Sequence, residues 1–143
     1  MIFSKSVEYA IKALSYMAQK DATAYFGVME LSSRLEVSRT YLAKILQTLV
    51  RKGILKSTTG PNGGFKFSKK PGDINLLSVV LLFDGNVAFE RCFMGWAECG
   101  DNNPCPMHPN IKEFKQKLRI DLEKMTVEKA STIAWPLFTR KDR

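Results

Sequence analysis

Histidine and cysteine are scarce in this chain, and their scarcity limits the chemistry that it can perform. The chain has 143 residues, with one histidine and three cysteines. It shows no Ser/His/Asp set and no paired carboxylates with a pocket signature, so an enzyme is the least favoured class of function. An odd number of cysteines also does not close a framework of disulfides.

Long apolar runs are missing as well. The longest, over residues 76–83, is interrupted by Ser78 and is too short to cross a bilayer, which excludes a transmembrane protein. The N-terminus lacks a basic region followed by an apolar stretch, so we expect a cytoplasmic protein. In that reducing compartment, clustered thiols more often bind metal or sense redox state than form disulfides.

Acidic residues are few, and the excess of positive charge is localised. Lys and Arg number 22 against 14 Asp and Glu, for a net charge of +8. Residues 1–73 hold 12 basic and 5 acidic side chains, whereas residues 74–143 hold 10 and 9. With 45% hydrophobic residues the chain is globular, and the local basic excess favours nucleic acid as partner, ahead of an anionic membrane surface.

Three helices followed by a hairpin are predicted in the first half. Apolar residues recur at helical spacing from a cap at Ser4 or Ser6 to about residue 20, over residues 28–35, and from the N-cap Ser38 to Gly53. Residues 54–57 and 65–68 have strand character, and we expect Asn62-Gly63 to supply the positive φ of the turn between them. The predicted fold is mainly α with a small β-hairpin wing, a winged helix-turn-helix.

The start of the third helix is the best candidate for DNA contact. Its free N–H groups suit a phosphate, and the side chains there reach base edges in a major groove. The candidates are Ser38, Arg39, Thr40 and Tyr41, with Lys44 further along for the DNA backbone. Asn62 at the wing tip is small and polar enough to enter a minor groove.

A long helix is predicted over residues 111–125. Its apolar positions form one narrow seam, typical of a helix that pairs with another helix, which favours a homodimer: Ile111, Phe114, Leu118, Leu122 and Met125. We divide the chain into a DNA-binding domain (1–83) that includes a buried helix at 76–83, an irregular cysteine-containing sensor loop (84–110), and a segment holding the dimerisation helix and a short C-terminal helix (111–138).

The sensor loop carries four candidate metal ligands. They follow the pattern Cys92-x6-Cys99-x5-Cys105-x2-His108. Three thiolates and an imidazole satisfy a tetrahedral zinc ion or an iron–sulfur cluster. The spacings are too wide for the Cys-x2–4-Cys knuckle of zinc sites, which favours a cluster over zinc.

Four segments of the chain resemble the Rrf2 family of winged-helix transcription regulators. They are Ser6-x2-Tyr9-Ala10, Ser38-x2-Tyr41-Leu42, Leu49-x3-Gly53-Ile54-Leu55 and Gly60-Pro61-x-Gly63-Gly64-Phe65. The resemblance covers about residues 1–125. It implies a homodimer joined by the long helix, which binds a double-stranded operator through the third helix and the wing. The wing positions so implied are Lys56, Thr59, Asn62, Gly63 and Gly64.

The resemblance also implies a cofactor. Family members hold a [2Fe–2S] or [4Fe–4S] cluster on the three cysteines, and its loss, oxidation or nitrosylation changes DNA binding; aerobically handled protein can lack it. The fourth ligand is implied at His108, with Glu8 of the other subunit as the less favoured alternative. Six residues between Cys92 and Cys99, where the family often has five, leave the cluster type open. The alternative function is a cluster-free repressor that uses thiol redox, zinc or a protein partner.

Overall fold

The computed structural model describes residues 2–133 and shows a helical protein with one two-stranded hairpin. This confirms the predicted fold class. The elements in chain order are α1 (Lys5–Asp21), α2 (Val28–Leu35), α3 (Arg39–Arg51), β1 (Leu55–Thr58), β2 (Gly64–Phe67), a 3₁₀ turn (Pro71–Asp73), α4 (Leu76–Asp84), α5 (Val87–Glu90), α6 (His108–Lys124) and α7 (Val127–Thr132).

Side-chain caps fix where the principal helices begin. The Val7 N–H donates to Ser4 Oγ at 3.3 Å, so Ser4 rather than Ser6 caps α1. Ser38 caps α3 as predicted, because its Oγ accepts from the Tyr41 N–H at 3.2 Å. Between α2 and α3 the chain turns at Glu36, whose φ of 54° is the one positive value among the non-glycine residues from 2 to 133.

The hydrophobic core lies where α1 meets its neighbours. Leu14 and Met17 of α1 and Leu46 of α3 are fully buried, and Val127 brings α7 onto the same core. The helix α1 contacts α2, α3, α4 and α7. The predicted burial of α4 is seen at Leu77, Val79 and Val80.

The wing is an antiparallel pair of strands tied to the segment before α2. Each strand lies one residue from its predicted bounds, with Leu55 opposite Phe67. Phe26 exchanges two backbone hydrogen bonds of 2.8 Å with Phe65, which anchors the hairpin to the body.

The turn of the wing differs from the prediction. The Gly63 N–H donates to the Gly60 carbonyl at 3.0 Å, so Pro61 and Asn62 occupy the centre. Positive φ values fall on Gly60 (104°) and Gly64 (138°), and the expectation of positive φ at Asn62-Gly63 is wrong. The reason is Pro61, whose ring fixes a negative φ at the first central position and moves the positive values to the flanking glycines.

After α6 the chain pairs with the backbone just before α4. The Leu76 N–H donates to the Met125 carbonyl, and the Val127 N–H donates to the Ile74 carbonyl, both at 2.8 Å. The long helix α6 ends just before this pairing. It begins at His108, not at Ile111, because Pro109 fits the first turn of a helix. The short helix α5 lies in the segment predicted to be irregular.

Little of α6 is covered by the rest of the chain. None of its side chains is buried, and Phe114 is 52% exposed.

Within the part of the chain that the structure describes, no helix is both long and apolar enough to span a membrane. The predicted C-terminal helix is seen as α7, and its expected continuation over residues 134–138 lies outside the described residues.

Candidate DNA-binding face and cysteine centre

The start of α3 presents an exposed polar surface. Ser38, Arg39 and Thr40 are exposed in the first turn, and Lys44 is exposed one turn later. The N-terminal end of a helix carries unpaired N–H groups and a partial positive charge, both of which attract a phosphate. This end of α3 therefore combines an anion site with side chains free to reach bases.

Tyr41 has a second role that the sequence analysis missed. Its hydroxyl lies 2.9 Å from Ser6 Oγ, and its ring meets Tyr9 edge to face with centroids 5.9 Å apart. Both partners belong to α1, so Tyr41 fixes the start of α3 to the helix behind it. The signal in the sequence was the pair of motifs that contain Ser6, Tyr9 and Tyr41, although nothing in their spacing showed that they meet.

The predicted wing residues divide into two groups. Lys56, Thr59 and Asn62 are exposed and available to a ligand. Gly63 and Gly64 are half-buried, and at both positions neighbouring backbone atoms leave no room for a side chain. A Cβ on Gly63 would lie 2.5 Å from the Thr58 carbonyl oxygen, and a Cβ on Gly64 would overlap the Phe26 carbonyl.

Basic side chains continue along the wing. Lys69 and Lys70 are exposed just beyond β2. The Lys66 ammonium lies 5.3 Å from the centre of the Tyr25 ring, a cation–π distance. Together with Lys56 these side chains give the wing and the residues after it a positive charge.

The three cysteines converge although up to thirteen positions separate them in the sequence. Their Sγ atoms all lie within 4.8 Å of one another, with Cys105 buried and the other two half-buried. All three are free thiols. The convergence predicted from the spacing is therefore seen in the folded chain.

Local backbone geometry places Cys92. The Gly95 N–H donates to the Cys92 carbonyl at 3.1 Å, and Gly95 has a φ of 78°, which closes a tight turn. Burial acts to raise the pKa of Cys92, but the Trp96 N–H, the Cys99 thiol and further donors outweigh it and lower the pKa to about 7. Donors aimed at a sulfur favour the thiolate, the form that binds metals.

Cys99 shows the opposite tendency. The Cys105 N–H lies 3.4 Å from Cys99 Sγ and lowers the pKa of Cys99, but burial and the two neighbouring thiols together raise it above its usual value. Thiolates this close repel one another. A cation among the sulfurs would remove that repulsion.

His108 lies beside the cysteines, at the first residue of α6. Its Nδ1 is 3.3 Å from Cys99 Sγ, and its Nε2 is 2.9 Å from Asp101 Oδ1. The Lys112 ammonium and the His108 ring hold the pKa of Asp101 below its usual range. The structure therefore brings all four candidate ligands predicted in the sensor loop together.

Glu8 lies elsewhere, on α1. Its carboxylate pairs with Lys12 at 2.8 Å and with Lys5 at 3.1 Å. The hydrogen bond from Lys12 lowers the pKa of Glu8 below its usual value, against the opposing effect of partial burial. Within this chain the carboxylate already has cationic partners.

Basic residues of α6 hold the sensor loop in place, a feature that the sequence analysis missed. A cavity of about 280 Å³ beside the cysteines is lined by residues of the loop and of α6. The Lys115 ammonium donates to the Arg91 carbonyl, and the Arg119 guanidinium bonds Asn86 Oδ1 at 3.1 Å. Lys112, Lys115 and Arg119 share one face of α6, since they are spaced three and four residues apart.

The donor set fits a metal ion or an iron–sulfur cluster. Three sulfurs and one imidazole nitrogen converge at the edge of a cavity, and thiolates bind both zinc and iron–sulfur centres.

Comparisons with known proteins agree with this geometry. Residues 3–132 match the family described as "Rrf2: Iron-dependent Transcriptional regulator". The chain belongs to the Rrf2 family. The resemblance inferred from four motifs is thus confirmed, as is the expectation that the chain is not an enzyme, because this is a family of DNA-binding transcription regulators.

Individual relatives support the same family. A protein of Aquifex aeolicus assigned as an HTH-type transcriptional regulator is 32% identical over 121 residues, which cover 83% of each chain. The HTH-type transcriptional regulator IscR of Klebsiella pneumoniae is 27% identical over 119 residues, or 83% of this chain and 72% of its own. The structure of CymR, the global cysteine regulator of B. subtilis, shares the fold with a TM-score of 0.77 at 16% identity, over 92% of this chain and 97% of CymR.

Proposed function

We propose that this Rrf2 protein is a cytoplasmic, dimeric regulator whose operator binding depends on an iron–sulfur cluster held by Cys92, Cys99, Cys105 and His108. The observation that carries the proposal is the convergence of three free thiols and the His108 ring at one site, in a chain whose family is described as iron-dependent transcriptional regulators. When bound, such a cluster supplies a centre that responds to oxidation, to nitric oxide or to iron supply.

The operator contacts are proposed at α3 and the wing. In α3, the exposed Arg39 and Thr40 contact bases, Lys44 contacts the DNA backbone, and the capped end of the helix approaches a phosphate. Tyr41 contributes mainly by fixing that end to α1. In the wing, Lys56, Thr59 and Asn62 contact the neighbouring minor groove, while Gly63 and Gly64 maintain its shape.

A second copy of the chain is proposed to cover α6. Phe114 is 52% exposed, and Ile111, Leu118 and Leu122 lie half-buried on the same side of the helix. An apolar face of this length on a helix that lacks buried side chains supports pairing with the same face of a second subunit. A symmetric dimer then places two α3 helices on successive half-sites.

The route from the sensor loop to DNA is proposed to run through α6. This helix carries His108 at its start, the basic side chains that hold the loop, and the apolar dimer face. At its end, the Met125 carbonyl is bonded to Leu76 of the winged-helix body. A change in how the loop packs on α6 therefore reaches both the dimer interface and the DNA-binding domain.

Zinc is the second candidate for the centre, and one distance favours it. Zn–S bonds of about 2.3 Å in a tetrahedron place sulfurs about 3.8 Å apart. The separations here, at most 4.8 Å, are near that value. A multi-iron cluster binds its cysteines through different iron atoms and spreads them further.

The deciding experiment is purification without oxygen, followed by a visible spectrum and by iron, sulfide and zinc analysis. A brown protein with iron and acid-labile sulfide supports the cluster. A colourless protein that contains only zinc, even after supply of iron and sulfide, refutes the cluster and supports zinc. A variant with Cys92, Cys99 and Cys105 all replaced by Ser is the control, and should hold neither.

A further inference from the structure

We propose that Asp101 is a positioning residue of the cysteine centre, and that it holds the His108 ring so that Nδ1 faces the sulfurs. The inference rests on the proposed function, since it concerns how the fourth ligand is oriented. Asp101 is absent from the ligand pattern of the sequence, and its contacts identify it.

The backbone between Cys99 and Cys105 presents Asp101 to α6. Gly100 and Asn103 exchange two backbone hydrogen bonds, of 3.3 and 3.1 Å, which close a turn with Asp101 in it. On the facing side, His108 and Lys112 are four residues apart on α6 and so lie on the same face. The carboxylate contacts both of them.

Hydrogen-bond chemistry then determines which imidazole nitrogen is free. Asp101 Oδ1 lies 2.9 Å from His108 Nε2, and an ionised carboxylate can only accept. The proton of that bond is therefore on Nε2, so in the neutral ring Nδ1 carries the lone pair, 3.3 Å from Cys99 Sγ. Outer carboxylates that accept from a ligating histidine fix its tautomer and strengthen the ligand in metal sites generally.

Lys112 holds the carboxylate in position. Its ammonium bonds Oδ1 at 2.9 Å and Oδ2 at 2.7 Å, so both oxygens of Asp101 are fixed. The Asp101 side chain is 66% exposed, and an ion pair at such a site contributes little to folding. Removal of the carboxylate should therefore leave the fold intact and act on the metal centre.

The test uses Co²⁺ titration of the apo protein, followed by absorbance and by competition with a chelator. We expect Asp101→Ala to weaken Co²⁺ binding about 10–100-fold. Asp101→Asn keeps an acceptor oxygen and should recover part of the loss. Asp121→Ala is the matched control, because Asp121 is also an exposed carboxylate that pairs with a lysine of α6, at 3.3 Å, and it should change affinity less than about twofold.

The same substitution made in a His108→Ala protein separates a positioning role of Asp101 from a purely structural one. In His108→Ala protein, the Asp101→Ala change should have no further effect on Co²⁺ affinity, because there is no ring left to orient. Equal affinity of wild type and Asp101→Ala overturns the inference, and so does an undiminished loss in the His108→Ala background or unfolding of Asp101→Ala by circular dichroism. Failure of wild type to bind Co²⁺ or a cluster refutes the proposed function itself, and the inference with it.

Discussion

Replacing Gly64 by alanine tests how the wing is attached to the protein. Gly64 has a φ of 138°, and an added Cβ would overlap the carbonyl of Phe26. That carbonyl accepts one of the two 2.8 Å hydrogen bonds that join Phe26 to Phe65. The methyl group can be accommodated only if the hairpin moves away from this segment.

The magnitude follows from three contributions. A side chain at this φ is strained by about 1–3 kcal/mol. Loss of two backbone hydrogen bonds adds about 0.5–1.5 kcal/mol each, and the lower entropy of the unfolded alanine chain returns about 0.4–1 kcal/mol. We therefore expect Gly64→Ala to lower the free energy of unfolding by about 1–5 kcal/mol.

Gly60→Ala is the matched control. Gly60 lies in the same turn with a φ of 104°, but no atom lies within 4 Å of its added Cβ, so this variant measures strain alone. Urea denaturation followed by circular dichroism should show Gly64→Ala to be less stable than Gly60→Ala by about 1–3 kcal/mol. Equal stability of the two variants would refute the argument that close approach to Phe26 requires a glycine.

Three further predictions address DNA binding, assembly and the centre. Arg39→Ala should lower affinity for the operator by about 1–3 kcal/mol per half-site with little effect on random DNA, and equal losses on both duplexes would make Arg39 a phosphate contact. Lys69→Ala should weaken binding to operator and random DNA equally. It should also reduce the slope of log affinity against log salt by about two per dimer. Leu118→Glu should destabilise the dimer by about 3–5 kcal/mol and give monomers in sedimentation, unless the seam is an internal face. Cys99→Ala should abolish the cluster spectrum but leave a folded dimer, and unfolding would show the loop to be structural.

The sequence was most informative where structure is local. Helical periodicity and the Ser38 cap located α2 and α3, because both signals depend on residues within a few positions. Apolar periodicity predicts the start of α6 at Ile111, three residues late, because Pro109 gives no apolar signal although the first turn of a helix accepts proline. The glycines of the wing predict a turn and contact with DNA, yet the close approach of Phe26, 38 positions earlier, is what requires Gly64.

At the candidate centre, too, the sequence reveals the local pattern of residues but not the contacts that depend on the fold. Three cysteines and a histidine within seventeen residues are a pattern that the sequence displays directly. Asp101 does not stand out in that pattern, because exposed aspartates are common and its role depends on the turn between Gly100 and Asn103. Tyr41 likewise gave no sign of its bond to Ser6, since those two residues are 35 positions apart.

The arrangement of α6 supports the proposal that the cysteine centre, the dimer interface and the operator contacts respond together. One face of the helix holds the sensor loop through Lys112, Lys115 and Arg119, and the adjacent face carries Phe114 and Leu118. Because both faces belong to one rigid helix, a repacking of the loop that rotates α6 would also shift the apolar seam. Because α6 ends in the backbone pairing of Met125 with Leu76, we expect that shift to reach the body that carries α3. Arg119→Ala removes the bond to Asn86 without altering any proposed cysteine or DNA contact. It should therefore reduce the difference in operator affinity between cluster-loaded and cluster-free protein, measured by fluorescence anisotropy. An unchanged difference would place the coupling outside this face of α6.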